Sequence, residues 1–129
     1  MYRLIYTCGL RPREGRELKT ENINFQTGEL FITHTKRNKD RIVVMSDDMR
    51  KLAVAYNEKR KIFGKENEYF FPSWSGRSLS QRQVDYFLKN AWKDANPECK
   101  NLPGIRTYDL RYPNLNKIQT FCRWRRKYD

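Results

Sequence analysis

The stretch 5-IYTCGLRPREGRELKTENINF-25 decides how the chain begins to fold. Tyr2, Leu4, Ile5 and Tyr6 read as the last turns of a helix that stops at Gly9, because glycine takes the left-handed cap of a helix end without steric cost. Pro12 suits the first position of a new helix. Glu14 and Glu17 put negative charge in its opening turns, where the helix dipole favours it. The spacing predicts that this second helix runs to about Lys19. Arg11 then falls on the junction between two helices, where a side chain can project over a cleft.

Working outward, 29-ELFITHT-35 and 41-RIVVM-45 are rich in β-branched and aromatic residues, and 36-KRNKD-40 joins them. The pattern is a hairpin with a charged tip. Ser46 before Asp47 and Asp48 is a helix-capping signal. Met49, Leu52, Ala53 and Tyr56 recur at helical spacing and predict a helix to about Phe63. The segment 64–80 reads as loop, with an apolar knot at Tyr69, Phe70 and Phe71 and a turn at Ser75-Gly76. Ser80 caps a further helix whose apolar face carries Val84, Phe87, Leu88, Ala91 and Trp92, ending before Asn96-Pro97. Pro103-Gly104 is a turn, and a last helix is expected to start between Thr107 and Asp109. The fold class is mainly α (α+β): helices around a small antiparallel β-hairpin sheet.

The chain has 129 residues, enough for one domain with a single modest core. Its formal net charge is +12, from 27 Lys and Arg against 15 Asp and Glu. Such an excess points to a polyanion partner, most often nucleic acid. RNA has only this charge behind it, since no aromatic RNA-binding motif is present. Cys8, Cys99 and Cys122 show no CxxC spacing and read as reduced thiols, with neither a disulfide framework nor a zinc site. His34 is the single histidine and builds no metal site with them, so neither metal nor cofactor is expected. No apolar run approaches the ~20 residues of a membrane span, and no signal peptide is evident. The expected location is cytoplasmic.

A phosphodiester at a reaction centre needs donors that match the planar geometry of its non-bridging oxygens, which arginine's fork supplies and lysine's point charge does not. It also needs a proton donor for the leaving oxygen. Arg11 at the helix junction, Arg111 in 107-TYDLRY-112 and Lys36 at the base of the hairpin tip are candidates. Each has an ordinary alternative: Arg11 can simply pair with Glu14, and a hairpin lysine keeps a sheet edge soluble.

Taken together and in order, the segments 5-IYTCGLRPREGRELKTENINF-25, 33-THTKRNKDRIVVMSDDM-49, 70-FFPSWSGRSLSQRQVDYF-87 and 105-IRTYDLRY-112 resemble the catalytic domain of the tyrosine recombinases, the phage-integrase family. The resemblance implies a mostly helical domain with a small sheet. It implies cleavage and rejoining of duplex DNA without a cofactor, through a 3′-phosphotyrosyl link. It makes Arg11 and Arg111 the two arginines that clamp the scissile phosphate, and Lys36 the proton donor to the 5′-oxygen. Glu14 becomes the acid that buttresses Arg11, and Asp109 a supporting residue of the second arginine box. Arg37, Lys39 and Arg41 become DNA-contacting cations of the hairpin. The family usually has histidine where Tyr108 stands. A phenol can donate a hydrogen bond to phosphate, but with a pKa of about 10 it is a poor proton shuttle. Tyr112 also replaces a frequent histidine.

The family continues through a Gly-His box to a nucleophilic tyrosine. Residues 113–129, PNLNKIQTFCRWRRKYD, match neither and form a divergent basic tail. Tyr128 lies too close to Arg111 for the family spacing and is not expected to be the nucleophile. Residues 1–129 therefore read as one partial catalytic domain, expected to be inactive alone. The two readings are a site-specific recombinase domain and a non-catalytic DNA-binding remnant of a mobile-element integrase. Either could assemble as a homo-oligomer on DNA.

Overall fold

The computed structural model describes residues 1–33, 39–63, 66–102 and 104–111. Lys36, Arg37, His34, Pro103, Tyr112, Cys122, Tyr128 and the basic tail 113–129 lie outside them.

Helix α1 spans Tyr2–Cys8 and ends at Gly9 in the left-handed conformation, φ 62°. Helix α2 spans Pro12–Arg16. It is shorter than the expected run to Lys19, because the chain after Arg16 turns to pair elsewhere. Leu18 O accepts the amide of Phe70 at 2.8 Å, and the Thr20 amide donates to Glu68 O at 2.9 Å. These tertiary hydrogen bonds replace the helical ones.

The sheet has three antiparallel strands in the order β1-β2-β3, where a two-stranded hairpin was expected. Strands β2 (Glu29–Ile32) and β3 (Arg41–Val44) form the hairpin, with Leu30 opposite Val43 and Ile32 opposite Arg41. The added strand, β1, is only Ile23–Asn24, with Ile23 opposite Leu30. Asn24 Oδ1 accepts the amides of Gln26 and Thr27, and Gly28 closes the turn with φ 80°. Leu30 and Ile32 point into the core, whereas Phe31, Ile42 and Val44 lie exposed on the other face.

Helix α3 spans Asp47–Ile62, capped by Ser46, whose hydroxyl accepts the Met49 amide. Met49 and Ala53 are buried as its periodicity requires. Leu52 and Tyr56 are more exposed than that pattern suggests, and Arg60 takes the next inward position. Helix α4 spans Gln81–Ala95, with a capping box between Ser80 and Gln83. Val84, Leu88 and Trp92 face the core, whereas Phe87, placed on the apolar face by its spacing, is 54% exposed. Tyr2 Oη donates to Val84 O at 2.6 Å and ties α1 to α4. The last described element is a 3-10 turn, Thr107–Leu110, where the start of a helix was expected. Side chains from α1, the sheet, α3, α4 and the 3-10 turn meet in one core, with Leu4, Ile5, Leu10, Leu30 and Phe70 nearly inaccessible. No helix among the described residues is long and apolar enough to cross a membrane.

Met1 packs against this core. In a chain with a free amine there, burial pulls the amine's pKa down from 8.0 to about 5. The unfolded amine takes its proton near pH 8 and the folded one only near pH 5, so stability is full above pH 8 and falls as pH drops towards 5. The loss between pH 8 and 7 is about 1 kcal/mol. N-terminal acetylation is expected to flatten this dependence in urea titrations. A pH-independent midpoint for the unacetylated chain between pH 8 and 6 would contradict it.

Candidate active site

Two segments far apart in sequence meet at the end of α1. Arg11 caps α2 from an extended conformation, φ −68° and ψ 148°. It has no side-chain oxygen to offer the helix, and Glu14 supplies the capping instead: the Arg11 amide donates to Glu14 Oε2 at 2.7 Å. The Arg11 guanidinium stands 3.6 Å from Glu14 Oε1 and stays partly exposed. From the other side, Arg111 Nε donates to Gly9 O at 3.0 Å. The bond answers a carbonyl at the C-terminal end of α1, where cations are favoured. It sets Arg111 two residues from Arg11 along the junction, although the two are a hundred positions apart in the chain.

The turn that carries Arg111 is held by three groups. Asp109 Oδ2 accepts the Arg106 amide at 2.9 Å and caps the turn. Leu110 is buried in the core. Thr107 is wholly buried and donates twice to Asp85 Oδ1 on α4, from its hydroxyl at 2.6 Å and its amide at 3.2 Å. Burial alone would raise the Asp85 carboxyl. The Thr107 hydroxyl, Gln81 and the Thr107 amide outweigh that and hold it below its ordinary value. Asp85 is thus an ionised anchor for the second arginine box, one that reading the sequence did not single out. The available signal was the Ser80 cap: it fixes the register of α4, turns Val84 inward and leaves Asp85 at the rim.

A groove of about 800 Å³ opens beside this junction. Arg11, Lys19, Phe31, Tyr69, Arg106 and Tyr108 are among its lining residues. Tyr108 is 50% exposed there. The groove's acids are engaged: Glu17 pairs with Arg13 at 2.9 Å, and Asp85 holds Thr107. Glu14 is gripped by Arg41 through two hydrogen bonds of 2.8 and 2.7 Å. Lys39 is exposed beyond the start of β3. The arrangement thus brings Arg11, Glu14, Tyr108, Asp109 and Arg111 into one neighbourhood. The expected roles of Lys36 and Arg37 fall outside the described residues. No group of three or more His, Cys, Asp or Glu side chains among the described residues is arranged to hold a metal ion.

A model of the phage integrase family matches residues 1–113. A Sinorhizobium fredii protein named as an integrase/recombinase, y4rF, is 36% identical over 53 residues, which is 41% of this chain and 12% of that protein. Among solved structures, XerA recombinase superposes with a TM-score of 0.70 at 20% identity, covering 91% of this chain and 44% of its own. The Tn1549 transposon integrase, solved with transposon right end DNA, gives a TM-score of 0.67 at 15% identity, covering 99% of this chain and 46% of its own. XerH recombinase, solved bound to its difH substrate, gives 0.65 at 19% identity, covering 85% of this chain and 31% of its own. These structures share the fold, and the chain spans less than half the length of each of these relatives.

Proposed function

The chain belongs to the phage integrase family, the tyrosine recombinases, and from that premise we propose that it forms the arginine-bearing part of a domain that cuts and rejoins duplex DNA at specific sites. Residues 1–129 would be one integrase-like catalytic domain, with 113–129 as a basic tail. The observation that carries this reading furthest is the hydrogen bond from Arg111 to Gly9 O, which sets the second arginine box against the junction that presents Arg11. Two planar cations so arranged suit a single phosphate, whose charge grows as a nucleophile attacks. Tyr108 would add a neutral donor from the groove wall. Lys36 would protonate the leaving 5′-oxygen, while Arg37 and Lys39 would meet neighbouring phosphates. Duplex DNA is the partner, in keeping with the DNA complexes of the XerH and Tn1549 proteins, and assembly would occur as copies on the DNA. The reaction would need no cofactor, because tyrosine, arginine and lysine supply nucleophile, charge stabilisation and proton.

Fluorescence anisotropy with a labelled duplex at graded salt tests the DNA part of this reading. Affinity should fall steeply with salt, and Arg11→Ala and Arg111→Ala should each flatten the log–log slope by about 0.9, the share of one phosphate contact. Slopes unchanged in both variants would sink the clamp. Salt-sensitive binding without adduct formation, in a chain that also carries a downstream tyrosine, would instead support the non-catalytic DNA-binding reading.

A further inference from the structure

Arg41 opens β3 at the edge of the sheet, and Glu14 sits in the first turn of α2, 27 residues earlier in the chain. Both terminal nitrogens of Arg41 are engaged, Nη1 on Oε1 at 2.8 Å and Nη2 on Oε2 at 2.7 Å. Only arginine supplies this fork-on-carboxylate geometry. The Glu14 side chain is 8% exposed, so bulk salt screens the pair less than a surface one. The same carboxylate accepts the Arg11 amide and faces the Arg11 guanidinium at 3.6 Å. Burial works to raise the Glu14 carboxyl. The Arg41 hydrogen bonds, the Arg11 amide and the two guanidinium charges outweigh it and keep the group ionised.

The end-on face of a carboxylate, with both oxygens, takes one guanidinium fork at a time. Here it takes Arg41, and Arg11 is left at ion-pair distance with its side chain partly exposed towards the groove. We infer that Arg41 is a positioning residue: by occupying Glu14 it keeps that carboxylate from capturing the Arg11 fork, and it makes no phosphate contact of its own. This inference rests on the reading of Arg11 as a phosphate ligand. It assigns Arg41 a different task from the DNA contact suggested by its place beside a run of hairpin cations.

The test is a mutant cycle read by the salt dependence of duplex binding. Arg41→Ala should turn Glu14 onto Arg11 and flatten the slope by about 0.9, as Arg11→Ala does. The double variant Arg11→Ala/Arg41→Ala should lose no more than either single one. Adding Glu14→Gln to Arg41→Ala removes the capturing charge and should restore the slope, which neither a purely structural role nor a phosphate contact would allow. Arg41→Lys keeps the charge but not the fork, and should fall between wild type and Arg41→Ala. A combined loss of about 1.8, two full contacts, would make Arg41 a phosphate ligand and overturn the inference. An unchanged slope in Arg41→Ala would overturn it as well. An Arg11→Ala variant that binds with the wild-type slope would instead remove the underlying reading of Arg11. If Arg41→Ala alone does not fold, the Glu14→Gln background carries the comparison. There, adding Arg41→Ala should leave the slope unchanged, and a drop of about 0.9 would overturn the inference.

Discussion

Arg111→Ala is expected to cut formation of the phosphotyrosyl–DNA link by roughly 10²–10³-fold, in a chain that includes the nucleophilic tyrosine, while duplex binding weakens far less. The asymmetry follows from where the charge appears. In the ground state the scissile phosphate is one of many contacted, and losing one arginine removes one counterion-releasing contact. In the transition state the negative charge would concentrate on the oxygens that the proposed clamp faces, so the same deletion would remove an interaction made most strongly there. The fold should survive. The substitution leaves Gly9 O without its Arg111 donor, a cost of about 0.5–1.5 kcal/mol, while Thr107 and Leu110 still pin the turn through Asp85 and the core. Arg111→Lys restores the charge without the fork and should recover only part of the rate. The measurement is the yield of SDS-resistant adduct on a nicked duplex, with anisotropy on the same preparations. Wild-type adduct yield from Arg111→Ala would remove Arg111 from the chemistry.

Much of this geometry was legible before any coordinates, and the exceptions have physical causes. Gly9, Ser46 and Ser80 announce helix ends through backbone chemistry local to one or two residues, and all three helix ends fall where those residues put them. The β2–β3 hairpin was equally local. Strand β1 was not: two residues carry no periodicity, and Ile23–Asn24 becomes a strand only because β2 lies beside it. The same holds for α2, whose last expected turn is surrendered to the hydrogen bonds of Leu18 and Thr20 with the segment 68–70. Phe87 misled because helical spacing names a stripe wider than the surface that the neighbouring elements cover. As for the site, the residues themselves marked Arg11 as projecting from a junction. Its partnership with Arg111 came only from the family resemblance. No pattern in the sequence says that a carbonyl at residue 9 meets a guanidinium at residue 111, nor that Asp85 holds the threonine four positions before that arginine.

Arg60→Ala is expected to destabilise the fold by about 2–4 kcal/mol, more than a surface charge in the run 58-EKRK-61 would suggest. Arg60 is 6% exposed. Its Nη1 donates to Thr20 Oγ1 at 3.1 Å, and its Nη2 donates to Asn67 O at 3.1 Å and Tyr69 O at 3.0 Å. Its guanidinium carbon lies 5.3 Å from the ring centre of Phe70 and 5.9 Å from that of Tyr56. One side chain therefore spans α3, the turn after α2 and the loop that returns through Phe70. Truncation takes the Arg60 donor from Tyr69 O, leaves Asn67 O with the Thr20 hydroxyl alone, and opens a void beside the buried Phe70 ring. Arg60→Met fills the void but donates nothing, so it should recover only the packing share of the loss. Urea midpoints measure the totals, and a change in Arg60→Ala below about 0.5 kcal/mol would place the residue with ordinary surface cations. Hydrogen exchange adds the location. The Thr20 and Phe70 amides bond Glu68 O and Leu18 O across the latch that Arg60 closes, and they should lose protection before the amides of α4 do. Lys19 and Tyr69 belong to that latch and line the groove beside Arg11. Arg60, the most buried charged residue among those described, thus also fixes one wall of the proposed DNA site, and Arg60→Met, folded but loosened, should bind duplex more weakly with an unchanged salt slope.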